Sequence, residues 1–217
     1  MTQRLRIDFV SDVSCPWCAV GLFSLQQALQ VLAGELSVDV HCQPFELNPQ
    51  MQPGGQDITE HLTQKYGSTP EQQAQIRATI RQRGAEVGFT FNPDGRGRIY
   101  NTFDAHRLLH WAGIEQAERQ VALKVALLKA CHTHRQAMDQ HAVLLAAVQE
   151  AGLDATRAQA VLDSDLFAEE VREQETFYTS RGIHAVPAVV INERHLVSGG
   201  QAVEAYVQAL RQVAATA

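Results

Sequence analysis

Two cysteines near the start of the chain are spaced for thiol chemistry. Cys15 and Cys18 are separated by Pro16 and Trp17, which gives the tetrapeptide Cys-Pro-Trp-Cys. A pair at this spacing can hold part of a metal site, form a structural disulfide, or exchange disulfides as a redox pair. The elements predicted around the pair distinguish between these uses.

The flanking pattern predicts that the cysteines lie where a strand turns into a helix. Residues 4–10 alternate between apolar and charged side chains, as in a half-buried strand. After Cys18, leucines recur every three or four residues up to Leu32, which is one face of a helix. Cys15 is then expected at the helix N-terminus with an exposed side chain, where unpaired N–H groups favour a thiolate. Cys18, one turn later, is placed to resolve a mixed disulfide.

The other two uses of the cysteines have less support. A structural zinc site needs a second Cys or Cys/His pair, and the nearest cluster, Cys131-His132-Thr133-His134, falls in a helical region, so no metal site is predicted. The N-terminus has no apolar signal segment, and no apolar run reaches the roughly 18 residues of a membrane span. We therefore expect a cytoplasmic protein without a membrane span, in which thiols stay reduced. The net charge of −6 does not indicate a nucleic-acid partner.

The rest of the chain predicts an α/β fold interrupted by helices. Residues 36–45 alternate again, with the strand expected to end at Pro44, and the pattern is then helical from Asp57 to about Gly182. Two short strands, 188–191 and 195–198, and a terminal helix, 202–213, follow. This order predicts one α/β domain, residues 1–50 and 183–217, split by an all-helical insertion, residues 51–182.

Local signals mark several ends of the inserted helices. Asp57 and Thr69 have the residue types of helix N-caps, and Pro70 fits a first helical position. Glycines end three of the apolar helical patterns, which predicts C-terminal caps at Gly113, Gly152 and Gly182.

At this point the sequence resembles a known family. The turn DVSCPWC (12–18) and the segment GIHAVPAVVIN (182–192) are similar to the DsbA-like branch of the thioredoxin superfamily. Four further segments resemble its FrnE-like subgroup: FELNP (45–49), GQDITEHLTQKYG (55–67), NTFDAHRLLHWA (101–112) and VSGGQ (197–201). The resemblance implies a thioredoxin fold, βαβ…ββα, in which the helical insertion roofs one side of the site.

The resemblance also implies roles for individual residues. Cys15 would be the attacking thiol and Cys18 the resolving thiol of a thiol–disulfide oxidoreductase or isomerase acting on a thiol or disulfide substrate. Pro187 would be cis and face Cys15, with the Val186 backbone pairing with an extended peptide or with glutathione. From the residues alone, Pro187 could equally be a trans proline that starts a strand. Pro16 and Trp17 complete the predicted substrate-contacting set around the pair.

Two other functions remain open at this stage. The chain also resembles 2-hydroxychromene-2-carboxylate isomerases and kappa-class glutathione transferases at Asn48-Pro49, although those enzymes typically carry serine in place of Cys15. A glutathione-dependent transferase or isomerase acting on a small aromatic substrate is therefore the alternative, with Asn48, Val186 and the turn 198–201 as glutathione contacts. Glutathione as a co-substrate is the one small-molecule partner predicted, with no bound cofactor. A pure binding module is the third reading, but it has no need of a nucleophile.

The other thiols and imidazoles have plain interpretations. Cys42 lies on the apolar face of its strand, and Cys131 follows a long buried helix, so both are predicted to be packing residues. His132, His134 and His141 are predicted to lie at a solvated helix end.

Two polar features have open interpretations, one next to the motif and one in the segment 101–112. Asp12 is either a proton acceptor during exchange or a turn residue of the N-cap type. The segment 101–112 contains Asn101, His106 and Arg107, and the four-residue spacing of Thr102, His106 and His110 gives either a polar stripe facing the site or ordinary surface polar residues.

Overall fold

The chain alternates short strands with nine helices across the part that the structure describes. The computed structural model describes residues 3–216. In chain order the elements are β1 (Gln3–Ser11), α1 (Pro16–Val31), β2 (Leu36–Pro44), β3 (Gln56–Asp57), α2 (Ile58–Tyr66), α3 (Pro70–Glu86), β4 (Arg98–Ile99), α4 (Phe103–Glu115), α5 (Ala117–His132), α6 (His141–Glu150), α7 (Ala155–Leu162), α8 (Ala168–Ser180), β5 (Ala188–Ile191), β6 (His195–Ser198) and α9 (Val203–Thr216).

A four-stranded mixed sheet positions the predicted redox pair. The strand order is β2-β1-β5-β6, with β1 parallel to β2 and antiparallel to β5, and β5 antiparallel to β6. Because β1 and β2 are parallel, α1 crosses back from the carboxyl end of β1 to the start of β2, and the cysteine turn lies at that carboxyl end. The βαβ…ββα order confirms the predicted fold class, and both C-terminal strands have the predicted bounds.

The alternation predicted for β1 is the reason for its central place. Leu5, Ile7 and Phe9 lie on one face and are fully buried. Phe9 pairs with Cys42 in β2 and with Val189 in β5, so apolar side chains continue across the sheet. Burial of these neighbours fixes the register, since a shift of one residue would turn the apolar face outward.

The sequence predicted that the segment between the two halves is helical throughout, and this prediction is wrong. β3 and β4 form a two-stranded antiparallel sheet, and residues 87–97 contain no helix. The cap predicted at Gly113 is also wrong, because α4 continues through it to Glu115. The side chain of Gln120 packs where a Cβ of Gly113 would lie, 2.5 Å from its Nε2, so this glycine serves helix packing.

The other predicted helix ends are confirmed. The Asp57 carboxylate accepts hydrogen bonds from the N–H groups of Thr59 and Glu60. Thr69 and Gln72 form a reciprocal capping box at the start of α3. Gly152 and Gly182 have φ values of +73° and +85°, a left-handed conformation that glycine adopts without steric cost.

The main buried cluster joins the sheet with most of the helices. It includes residues of β1, α1, α4, α5, α6, α7, β5 and α9. Helices α2 and α3 contribute little to it, since α2 buries only His61 and α3 buries only Gln73, Ile80 and Gly84. Among residues 3–216, no helix is both long and apolar enough to cross a membrane. The division at residues 50/51 and 182/183 stays a prediction.

Candidate active site

The cysteine turn lies at the junction of β1 and α1, as predicted. Cys15 is the N-cap of α1, and Pro16 occupies the first helical position. The Cys15 N–H donates to the Asp12 carbonyl at 3.1 Å, and the Cys18 N–H donates to the Cys15 carbonyl at 3.1 Å. The turn is thereby fixed by its own backbone, with Cys15 at the positive end of the helix dipole.

The prediction that Cys15 has an exposed side chain is wrong. Only 5% of Cys15 is accessible, and Cys18 is fully buried. Both cysteines are free thiols. The Val186 carbonyl, in the loop before β5, lies 3.5 Å from the Cys15 sulfur, and Cys15 lines a cavity together with residues of α2 and α3. Local sequence around the turn carries no signal for this cover.

The two thiols have opposite electrostatic environments. The side chain of Cys18 lowers the pKa of Cys15 most, against the effect of burial, and the N–H groups of Cys18 and Trp17 lower it further. Burial raises the pKa of Cys18 well above its usual range, and Cys15 adds to that rise. The pair therefore favours one thiolate, on Cys15, with Cys18 as its protonated partner.

The loop before β5 covers the Cys15 sulfur. The Val186–Pro187 peptide bond is cis, as the family resemblance implied. The Cys15 thiol donates to the Val186 carbonyl, with 3.5 Å between Sγ and O. Gly21 in α1 makes this approach possible, because a Cβ there would lie 2.9 Å from Pro187 Cγ. The loop and the thiol are thus adjacent, as predicted.

Asp12 is a fully buried anion that fixes the base of the turn. Its carboxylate accepts hydrogen bonds from the N–H groups of Ser14 (2.9 Å) and Leu47 (2.8 Å) and from Thr102 Oγ1 (2.9 Å). Burial alone would raise the pKa of Asp12, but His106, with Nε2 3.6 Å away, and the backbone donors lower it to about 2. A carboxylate with this pKa does not take up protons near neutral pH, which favours the turn-residue interpretation.

A fully buried lysine lies behind the cysteines. Lys124 in α5 is 0% exposed, and its ammonium donates to the Ser11 carbonyl at 3.5 Å. No carboxylate among residues 3–216 lies within 4.0 Å of it. One turn earlier, the Gln120 side chain bonds both backbone groups of Cys42, which attaches α5 to the edge of β2. The positive charge of Lys124 lowers the pKa of Cys18 against the larger opposing effect of burial.

The thiols outside the motif are packing residues, whereas one histidine departs from its prediction. Cys42 and Cys131 are both buried, and burial raises the pKa of each thiol, that of Cys42 to about 11. His132 is also buried and not at a solvated helix end, since its Nε2 lies 2.9 Å from the Val13 carbonyl. Burial lowers the pKa of His132 to about 3. His134 and His141 are exposed, as predicted.

A cavity of about 530 Å³ opens in front of Cys15. Its walls come from α2, α3, residues 91–99 and the loop before β5. Arg96 connects this wall to the turn, because its guanidinium donates to the Ser14 carbonyl and to Ser14 Oγ. We call α2, α3 and residues 91–99 the helical roof. A molecule that reaches Cys15 from the side of the cavity contacts this roof first.

The predicted substrate-contacting residues lie around this cavity. Four of the five line it directly: Pro16, Trp17, Asn48 and Val186. Pro187 is buried behind Val186, and the turn 198–201 is not part of the lining. Asn48 is held by Lys65, whose ammonium donates to Asn48 Oδ1 and to the Leu47 carbonyl, both at 2.7 Å.

Neither interpretation of the α4 polar residues is correct. His106 and Arg107 are buried, and neither lines the cavity. Arg107 instead donates to the Leu166 carbonyl at 2.9 Å and to Asp104 at 2.8 Å. These residues connect α4 to its neighbours, so their polarity has a structural use.

Sequence reasoning missed Lys124 and the basic residues of the roof. A signal existed for Lys124, because it lies inside the apolar stretch VALKVALLKA, where a surface lysine is unexpected. Arg77 and Arg81 gave no signal, since α3 is rich in charged and polar residues along its length.

The fold and the site agree with the comparison to known families. The model of the DSBA-like thioredoxin domain matches residues 6–211. The chain belongs to the DsbA-like thioredoxin family. Members of this family of thiol–disulfide oxidoreductases act on thiol or disulfide substrates, which supports enzyme activity of a general redox or isomerase kind. No curated protein matches the chain.

Solved structures of this family resemble the chain over almost its whole length. A probable DsbA oxidoreductase from Streptomyces coelicolor is 32% identical, with a TM-score of 0.87 and coverage of 96% of this chain and 89% of that one. A 2-hydroxychromene-2-carboxylate isomerase (15% identity, TM-score 0.69, 96% of each chain) shares the fold. So does the cytosolic disulfide reductase DsbM from Pseudomonas aeruginosa with GSH (15% identity, TM-score 0.64, 95% and 98%). These neighbours are consistent with the FrnE-like subgroup.

Proposed function

We propose that this protein catalyses thiol–disulfide exchange with Cys15 as nucleophile and Cys18 as resolving thiol. The observation that carries the proposal is the asymmetry of the pair. Cys15 is the N-cap of α1 with its pKa lowered, and it borders the cavity, whereas Cys18 is fully buried with its pKa raised. Such a pair presents one thiolate to a substrate and keeps the second thiol for an internal attack.

The proposed reaction has two displacement steps. The Cys15 thiolate attacks one sulfur of a substrate disulfide, the S–S bond breaks, and the first substrate thiolate leaves with the electron pair. Cys18 then loses its proton to solvent and attacks the Cys15 sulfur of the mixed disulfide. The second substrate thiolate leaves, the Cys15–Cys18 disulfide forms, and the substrate is reduced by two electrons. The reverse sequence oxidises a substrate dithiol.

The residues around the pair have proposed supporting roles. Pro16, Trp17 and Asn48 line the cavity and contact substrate, while the Val186 backbone, positioned by the cis peptide to Pro187, faces the attacking sulfur. The Val186 carbonyl already accepts from the Cys15 thiol at 3.5 Å, so a substrate disulfide bound beside it would lie close to the Cys15 sulfur.

A redox titration tests the proposal. The protein is equilibrated in glutathione buffers of graded ratio, quenched by alkylation and analysed by mass spectrometry. We expect a reversible two-electron transition confined to Cys15 and Cys18 that disappears in Cys15→Ser. Its midpoint, compared with the redox potential of a reducing compartment, would give the direction of exchange there. The cytoplasmic location remains a prediction. A transition that survives in Cys15→Ser would contradict the proposal.

A glutathione-dependent transferase or isomerase is the second candidate. It is favoured by a cavity large enough for a small aromatic molecule beside Cys15, and by the amide of Asn48, which Lys65 holds at its edge. It predicts saturable, non-covalent glutathione binding that persists in Cys18→Ser. Calorimetry at millimolar glutathione without a binding signal would eliminate it.

A further inference from the structure

We propose that the cavity in front of Cys15 selects small disulfides or thiols that combine an apolar body with a negatively charged group. This inference rests on the proposed exchange function and names the substrate class of the same site. It follows from the charge, the free hydrogen-bonding groups and the shape of the cavity wall.

Apart from the reactive Cys15 thiolate, the charged side chains of the wall are all cationic. The described residues that line the cavity include three arginines and no aspartate or glutamate. The whole chain has a net charge of −6, so this distribution runs against the composition. A concave, low-dielectric wall with cations and no anions concentrates positive potential, which attracts anionic ligands.

Two of these arginines are not committed to protein partners. Arg77 and Arg81 are four residues apart in α3, so their side chains share one face of the helix. Neither makes a side-chain hydrogen bond within residues 3–216, nor an ion pair within 4.0 Å, and Arg77 is half-buried. Arg96 differs, because its guanidinium is bonded to Ser14.

A buried acceptor in the same wall also lacks a partner. Gln73 lies one turn before Arg77 and is 2% exposed. Its Nε2 donates to groups of α2 and of the following turn, whereas its Oε1 is buried without a donor. Buried acceptors of this kind are normally satisfied, so a ligand N–H or O–H group in the cavity would complete the site.

The remaining surface of the cavity is mainly apolar. Ile58, Leu62 and Phe91 line the interior, and the mouth carries Tyr66 and Ile76, which are 62% and 50% exposed. A volume of about 530 Å³ suits a small molecule. An extended polypeptide would place many backbone N–H and C=O groups against a wall that is mainly apolar. An apolar body is therefore the better match.

Two aromatic disulfides test the charge requirement. Dithiobis(nitrobenzoate) carries one carboxylate on each aromatic half, and dithiodipyridine carries none at neutral pH. The rate of each with the reduced protein is divided by its rate with a free small thiol, which removes the difference in intrinsic reactivity. The ratio of these two normalised rates measures selectivity for the anion.

The double variant Arg77→Gln/Arg81→Gln separates the cavity from the chemistry. We expect it to lower the ratio by about fivefold or more, since each partly exposed charge pair contributes up to that factor. Arg83→Gln, in the same helix and outside the cavity lining, should leave the ratio unchanged. In wild type the ratio should also fall as salt concentration rises.

The outcomes distinguish two kinds of failure. If Cys15→Ser reacts with both reagents as wild type does, the proposed exchange function is wrong and the cavity has no such substrate. If the reaction requires Cys15 but the ratio is the same in the double variant and in wild type, exchange stands and the charge requirement is overturned. Retention of the near- and far-ultraviolet circular dichroism of the wild type shows that the variants are folded.

Discussion

The cysteine turn and the helical roof over it are built in opposite ways. Asp12 and Cys18 of the turn, and Lys124 of α5 behind it, are each at most 1% exposed. Asp12 accepts from a backbone N–H group, and the N–H groups of Cys15 and Cys18 donate to carbonyls of the turn. In the roof, α3 buries three of its residues and leaves Ile76 50% exposed, and its cavity-lining Arg77 and Arg81 make no side-chain hydrogen bond or ion pair within residues 3–216. The turn holds the reacting sulfur atoms in place, and the roof presents side chains that a ligand can bind.

This difference separates reactivity from selectivity. The pKa values of the two thiols depend on burial, on the effect of each thiol on the other and on backbone donors of the turn, with Lys124 of α5 also acting on Cys18. The roof contributes almost nothing to the main core, so its residues can vary with little effect on folding free energy. We therefore expect substitutions in the turn to change stability and chemistry, and substitutions in the roof to change substrate choice.

The largest effect is expected for Asp12→Ala. It leaves the donors of Ser14, Leu47 and Thr102 unpaired in the interior, and it removes the anion beside His106. Breaking a buried charged network costs about 3–5 kcal/mol. Urea unfolding at neutral pH measures this change. Asp94→Ala, at an exposed aspartate, should change the free energy of unfolding by less than about 0.5 kcal/mol.

A smaller loss of stability is expected in acid, and it comes from His132, which packs behind the turn. Unfolded His132 takes up a proton below its ordinary pKa of about 6.5, whereas the folded protein holds its pKa at about 3. Because the unfolded state binds more protons in this window, stability falls as pH falls, by at most about 1.4 kcal/mol per pH unit. Asp12 adds to the loss only below about pH 4, where its unfolded form protonates.

His132→Gln isolates this contribution. Burial also lowers the pKa of His61 and His110, and both remain in the variant, so the difference from wild type reports His132 alone. Urea unfolding between about pH 6.5 and 4.5 should show a smaller slope with pH for His132→Gln. His134→Gln, at an exposed histidine, should retain the wild-type slope. Equal slopes in all three proteins would contradict a buried, neutral His132.

An effect on chemistry without loss of stability is expected for Lys124→Met. Removing the positive charge takes away one of the effects that oppose burial and raises the pKa of Cys18 further, which slows its attack on the mixed disulfide. A rise of one pKa unit corresponds to about a tenfold longer lifetime of that intermediate. Acid quenching and mass spectrometry measure it, with Lys129→Met, 43% exposed on the same helix, as control.

The stability of the Lys124→Met variant sharpens the same test. The Lys124 ammonium is buried with one carbonyl acceptor at 3.5 Å, so replacing it with an apolar side chain should not destabilise the fold. A variant of wild-type stability with an unchanged intermediate lifetime would show that Lys124 has no influence on Cys18.

The smallest stability effect is expected in the roof. Ile76→Ser removes an apolar side chain that is half exposed, so the free energy of unfolding should stay within about 0.5 kcal/mol of wild type. Its normalised rate with dithiodipyridine should fall, because the mouth of the cavity loses apolar contact. A large destabilisation would mean that α3 belongs to the core, and the contrast between the two regions would not hold.

The sequence was sufficient for the features set by local pattern. Alternation in β1 and the leucine spacing in α1 placed the cysteines at the strand–helix junction, and Thr69 and Gly152 marked helix ends by their own chemistry. The cis state of Val186–Pro187 came from family resemblance, since the local sequence allows both isomers.

The rest depends on contacts between distant segments. The loop before β5 lies against the Cys15 sulfur, and the buried His132 ring contacts the Val13 carbonyl. Gly113 looked like a helix end because glycine often is one, but its position is set by Gln120 of the next helix. No periodicity in a single sequence encodes which side chain of another element fills such a space.

The most direct test of the central claim is trapping of the mixed disulfide in Cys18→Ser. The variant is incubated with excess dithiobis(nitrobenzoate), separated from reagent, digested without reductant and analysed by mass spectrometry. The account predicts one stable adduct per chain, on Cys15, while Cys42 and Cys131, which have raised pKa values and do not line the cavity, stay unmodified. An adduct on either of those thiols in place of Cys15, or no adduct at all, would contradict the assignment of Cys15 as the nucleophile.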